Sequence, residues 1–153
     1  MTTEIEKAAD LIQQTLDGDN WTGINVDGAL KDVNAQVATN RINDKHLNIA
    51  ELTAHLTCWN KVIAKRLEGE NYKPSRDEDF PVFNSLSDDE WEGIKNNFIA
   101  SFQMLVSALL KHKDSNADAP IFPGASSVYR NIHGQISHLH YHLGQIVLLK
   151  KLI

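Results

Sequence analysis

Residues 137–146 read SHLHYHLGQI, and His133 lies four positions before them. Three histidines alternate within five residues, and the flanking chain is apolar. Imidazole can ligate a metal, carry a proton or pair with a buried polar group. Which of these applies depends on what each ring can meet. The alternation suggests a strand at first sight. On a helix, however, each residue advances by ~100°, and with Gln135 as zero, His138, Leu139, His142, Ile146 and Leu149 fall within about 60° of it. Val128 and Ile132 join that sector. His138 and His142 then stand one above the other on the core-facing stripe, while His140 and His133 point to nearly the opposite side. Those two outward rings lie roughly 10 Å apart along the axis, too far to share one metal directly.

Two inward histidines need a partner. Unpaired in apolar surroundings, each would carry a desolvation cost on the order of 1–3 kcal/mol. A divalent metal resolves this by accepting a lone pair from each ring, and i,i+4 is the usual helical chelate spacing. No Glu follows His138, so the pair is not the HExxH protease motif. A mononuclear site needs a third ligand, and His55, at the edge of the Leu52/Trp59 stripe of another helix, is a candidate. Three imidazoles from two facing helices would leave coordination positions open, as catalytic rather than structural sites do.

The other conspicuous residues have plainer expectations. Cys58 fits a small buried hydrophobe, and Glu51 fits a solvated carboxylate. Trp59, Trp91, Phe98 and Phe102 fit the core. His133 and His140 fit the surface or an interface. The run RDEDF at 76–80 fits a solvated loop. Neither a Gly-rich phosphate loop after a strand nor a Ser-His-Asp arrangement can be made out.

The elements that must hold the histidines are helical. Thr3 and Glu6 can form a capping box, after which Ile5, Ala8, Ala9, Ile12 and Leu16 recur at helical spacing up to Gly18. An irregular connector follows, with a short helix around Val26–Val33. Asn48 can cap a second long helix with the stripe Ile49, Leu52, Leu56, Trp59, Ile63 and Leu67, and Gly69 lies just past its end. Residues 70–86 read as a loop with Pro74, Pro81 and an acidic patch. Ser87–Glu90 is a second capping box, opening a helix striped with Trp91, Ile94, Phe98, Phe102, Leu105 and Leu109. The last helix runs from about Ser127 to Lys151. Four long amphipathic segments predict an all-α, four-helix bundle, and 153 residues suit one domain.

The net charge of −5 argues against a broad nucleic-acid surface. A single cysteine, Cys58, excludes an internal disulfide. The opening MTTEIEKAADLIQQTL lacks the basic start and apolar block of a secretory signal, and no apolar run is long enough to span a membrane. A cytoplasmic protein without nucleic-acid or membrane partners is the expectation.

The segments AELTAHLTCW, HLHYHLGQI and NWTGINVDGALKDV, in this order and at these distances, resemble signatures of the DinB/YfiT-like family across essentially the whole chain. The resemblance implies up-down-down-up topology and a metal held by three histidines, which by motif match are His55, His138 and His142. Many members carry a basic residue just before the GQ, where this chain has Leu143. The seventeen residues of 70–86 could span up to ~55 Å extended, enough for the crossover between parallel helices. Related proteins include thiol-dependent isomerases and S-transferases. A metal-dependent enzyme acting on a low-molecular-weight thiol is therefore expected, with zinc or nickel suited to three imidazoles. A metal-dependent hydrolase, or a non-catalytic stress-response protein that binds a metal or small molecule, are the alternatives. Family members often dimerise, and Ser137, Tyr141, Gly144 and Leu148 on the outward side of the last helix suit a homodimer contact.

Overall fold

Small polar caps decide where the long helices begin. In the computed structural model, which describes residues 3–153, Thr3 Oγ1 accepts from the Glu6 backbone N–H at 3.1 Å while the Glu6 carboxylate accepts from the Thr3 N–H at 2.8 Å. That reciprocal pair opens α1, Glu4–Leu16, as its sequence predicts. The connector holds α2, Val26–Leu30, capped by Asn25, and α3, Ala35–Thr39, capped by Asn34. The second of these is missing from the sequence expectation because five residues carry too little periodicity to register.

Asn48 caps α4, Ile49–Leu67, and Gly69 ends it with φ 91°, a backbone conformation that glycine adopts without Cβ strain. The segment 70–86 is irregular, as expected, apart from one short capped helix, α5, Arg76–Asp79. Ser87 and Glu90 open α6, Asp88–Leu109, as expected. A 3₁₀ turn at Asp114–Asn116 precedes α7, Val128–Leu152, whose cap is Ser127. Among the described residues the sole extended pairing is one isolated bridge, Pro120 to Ser127. The fold is all-α.

The α4 helix packs chiefly on α6 and α7, and α1 packs on the same two helices. The middle of the core is aromatic on α6: Phe98 and Phe102 are fully buried with ring centroids 5.2 Å apart, edge to face. Truncating either to Ala would cost roughly 3–5 kcal/mol. Trp91 is also buried, and its indole N–H donates to the Val33 carbonyl at 2.6 Å, tying the connector to α6. Trp59, expected in the core, is only partly buried.

The phase of α7 is shifted slightly from expectation. Leu139, Leu143 and Ile146 have no exposed surface and form the middle of the buried stripe, while His138 and His142 are half-buried at its α4-facing side. Glu51, expected to be solvated, is 1% exposed. Its carboxylate accepts from the backbone N–H groups of Asn48 at 3.1 Å and Phe83 at 3.0 Å, and from both Arg41 Nη atoms. It is simultaneously the capping-box acid of α4 and the partner of a cation ten residues upstream. The outward histidines are not free surface either. His133 packs on Tyr129, with ring centroids 4.1 Å apart, and His140 sits half-buried against the α1 side.

Candidate metal centre

The packing of α4 against α7 brings three imidazoles together. His55, from the middle of α4, is 4% exposed. His138 and His142 reach it from successive turns of α7, with ring centroids 5.0 Å and 4.9 Å from that of His55 and 4.6 Å from each other. One nitrogen of each ring lies within 4.8 Å of the other two. Among the described residues, neither Glu51 nor Cys58 joins this group.

Each ring is oriented from behind. His55 Nδ1 faces the Asp79 carboxylate at 2.7 Å and the Asp79 carbonyl at 3.1 Å. Both partners are acceptors, so Nδ1 carries the proton and Nε2 presents its lone pair. The Asp79 carboxylate is itself fixed by the Trp59 indole N–H at 2.7 Å, and Phe80 stacks on the His55 ring at 4.6 Å with 19° between planes. His142 Nδ1 meets Gln145 Oε1 at 2.6 Å, and the Gln145 amide donates to the Tyr141 hydroxyl.

The support behind His138 has a direction that can be traced from the backbone. Ser101 Oγ donates to the Phe98 carbonyl at 2.6 Å, which leaves its lone pairs for the Asn60 amide at 3.0 Å. Asn60 Oδ1 then accepts from Gln135 Nε2 at 2.7 Å, turning Gln135 Oε1 toward His138 Nδ1 at 3.4 Å. Ser101 and Asn60 are fully buried and Gln135 is nearly so. A buried amide chain of this kind fixes its own orientation, since reversing one member would strand a donor.

The consequence lies between the rings. His55 Nε2 and His138 Nε2 are 3.0 Å apart. By distance this is a hydrogen bond, but with both Nδ1 atoms protonated neither Nε2 has a hydrogen to donate. Two lone pairs face each other, and the contact needs either a cation or a second proton on one ring. Burial, followed by the charges that would form on His142 and His55, pushes His138 down to about 4, against that second proton. Burial also lowers His142. Three imidazole nitrogens that converge from two helices, with an acceptor behind each ring, fit a divalent metal ion.

Sequence reasoning selected the trio but missed its supports. The spacing Gln135–His138–His142–Gln145 was available: a glutamine three residues before one histidine and three after the other places each amide beside its ring on a helix. Asp79 and Phe80 gave no such signal, because the expected solvated loop carries both of them to His55. Cys58 is half-buried, and burial with nearby Asp79 and Glu78 pushes its thiol up to about 11, so it is no thiolate at neutral pH.

Two cavities adjoin the region. The smaller, about 300 Å³, is lined by His138 itself with Trp59, Arg66, Arg130 and Gln135 among others. The larger, about 540 Å³, is lined by Phe80 and Arg41 but by none of the three histidines. The smaller cavity therefore reaches one of the three histidines, His138, and the larger reaches none. No curated protein and no solved structure matches the chain. The sequence profile of the DinB superfamily matches residues 21–146, a span that contains all three histidines together with Asp79, Gln135 and Gln145, and the chain belongs to that superfamily.

Proposed function

We propose that this protein binds one divalent transition metal through His55, His138 and His142, and that it is a metal-dependent enzyme that activates a low-molecular-weight thiol for transfer or isomerisation. The observation that carries this is the convergence of three imidazole nitrogens within 4.8 Å, each ring held by an acceptor at its far nitrogen. Zinc and nickel suit an all-imidazole donor set. Bound there, the metal would supply an open coordination position that favours the thiolate form of a small thiol near neutral pH.

The chain's own residues have separate tasks. Asp79, Gln135 and Gln145 hold each ring in the tautomer that offers Nε2. Phe80, stacked on His55, and Trp59, with its ring centroid 5.9 Å from that of His138, keep water from the flanks of the site. The small molecule enters from the cavity at His138.

The same proposal includes the architecture. The chain is one domain, a four-helix bundle of α1, α4, α6 and α7 with up-down-down-up topology. Asn60 pairs with Ser101 and Leu67 with His112, as parallel α4 and α6 require; His55 pairs with His138 and Asn60 with Gln135, as antiparallel α4 and α7 require. A homodimer through the exposed Ser137, Tyr141, Gly144 and Leu148 face, and a cytoplasmic location, complete the proposal. Among the described residues no helix is long and apolar enough to cross a membrane.

The test is elemental analysis of protein purified without an affinity tag, followed by a thiol-transfer screen of the metal-loaded form. One equivalent of zinc or nickel with thiol-dependent turnover is the expected result. A metal whose remaining coordination positions exchange neither water nor thiol would reduce the site to a structural role.

A further inference from the structure

The cavity at His138 has a lopsided charge. Arg66, from α4, and Arg130, from the first turn of α7, both line it, and no Asp or Glu does. In a chain of net charge −5, other cations find carboxylates nearby: Arg41 has Glu51, Lys95 has Glu92 and Lys111 has Glu68. Among the described residues, no carboxylate lies within 4.0 Å of Arg66 or Arg130.

Arg66 is held in place without an acid. Its Nε donates to the Tyr72 carbonyl at 3.2 Å, and its guanidinium carbon lies over the Trp59 ring, 5.5 Å from the centroid. The backbone and an aromatic face thus position the group while leaving its two terminal nitrogens for a ligand. Trp59 is the common wall, since its ring also meets His138 edge-on. A half-buried guanidinium, a second exposed one and a candidate metal ligand therefore open on the same 300 Å³.

We infer that this cavity receives the carboxylate of a small substrate whose other end reaches the three histidines, so that the substrate class is a small carboxylic acid. The planar fork of Arg66 matches the two oxygens of a carboxylate, and Arg130, from α7, adds a second charge to the same cavity. This inference rests on the metal and thiol function proposed above.

The probe is 3-mercaptopropionate, compared with its uncharged methyl ester, titrated into the cobalt(II)-loaded full chain and read from the sulfur-to-cobalt absorption. The acid is expected to bind about tenfold more tightly than the ester, the scale of one charge-assisted hydrogen-bonded pair. Arg66→Gln and Arg130→Gln should each remove most of that preference while leaving the ester's affinity in place. Arg130 is exposed, so its variant folds even if the Arg66 variant does not. Equal affinity for acid and ester in the wild type, or a preference that survives both substitutions, overturns the carboxylate inference and leaves the thiol function standing. Cobalt bands that respond to neither compound overturn the thiol function and this inference together.

Discussion

Helix α7 presents histidines to two neighbours, and the two sides differ in one respect. His140 and His142 are both half-buried, and burial lowers both. On the α1 side, His140 has a hydroxyl at each nitrogen: Thr15 Oγ1 at 3.2 Å from Nε2 and Thr22 Oγ1 at 3.2 Å from Nδ1. Each hydroxyl also has an acceptor of its own, the Leu11 carbonyl for Thr15 and Asn20 Oδ1 for Thr22, and a neutral His140 is satisfied when one of them turns its hydrogen to the ring instead. On the α4 side, every Nδ1 has an acceptor and the free nitrogens meet each other. Burial and depressed basicity do not distinguish the two. The neighbours do: rotatable hydroxyls face His140, whereas imidazoles with acceptors behind them face one another on the α4 side.

The strongest way to break the comparison is to remove a ligand. His142→Ala and His138→Gln should each lower metal affinity by more than the ~10–100-fold typical of changes behind a ligand, with helicity retained because Ala and Gln are good helix formers. Wild-type metal content in either variant, by elemental analysis after dialysis, would remove that residue from the ligand set. Next comes Asp79→Ala, which leaves all three imidazoles but removes the carboxylate behind His55. A loss of about 10–100-fold in zinc affinity is expected. An unchanged competition titration against a chelator would show that the Asp79 backbone carbonyl and Phe80 stacking suffice to position the ring.

The acid response of the metal-free protein sharpens the contrast without any metal. The His138 imidazole lies at about 4 when folded, below its ordinary 6.5, so the unfolded chain binds more protons between those values. Its contribution to stability is complete above about 6.5, declines as pH falls toward 4, and declines no further below that. His142 and His140 shift in the same direction. Thermal melts across this range should fall with pH in the wild type and fall less in His138→Gln; parallel curves would count against a neutral, buried His138. The smallest effect belongs to His140→Gln. It should keep metal affinity within about twofold and cost on the order of 1 kcal/mol through its two hydroxyl partners. A greater loss of metal from His140→Gln than from His138→Gln would mean that the helical register is wrong.

What was legible in the sequence follows from how local each signal is. Long helices announce themselves through periodicity and caps, as Thr3, Asn48, Ser87 and Ser127 do. The i,i+4 pair His138 and His142 is equally local. His55 is a candidate third ligand from its place at the edge of the α4 stripe, and the family resemblance matches the same residue, although α4 and α7 are adjacent only through tertiary packing. Asp79 lies twenty-four residues from His55 on a four-residue helix, where neither periodicity nor spacing could connect them. Glu51 differs from its expectation for the same reason: a carboxylate on a first turn normally faces water, and only the return of Arg41 and the Phe83 backbone buries it. The helical wheel puts His140 at the surface or an interface because it locates the side of a helix, not the threonines that come to cover it.

Glu51 also has a kinetic consequence. One carboxylate receives the Arg41 guanidinium from the first connector and the Phe83 amide from the chain that follows Asp79 and Phe80. Neither strand of chain can lift away without abandoning a charged hydrogen bond at the start of α4, so the two segments should open as a single cooperative unit. Amide hydrogen exchange would register this as a common opening free energy for Phe83 and its neighbours and for the Arg41 region. Zinc, held by a His55 that leans on Asp79, would then slow exchange in a connector that contributes no ligand to it.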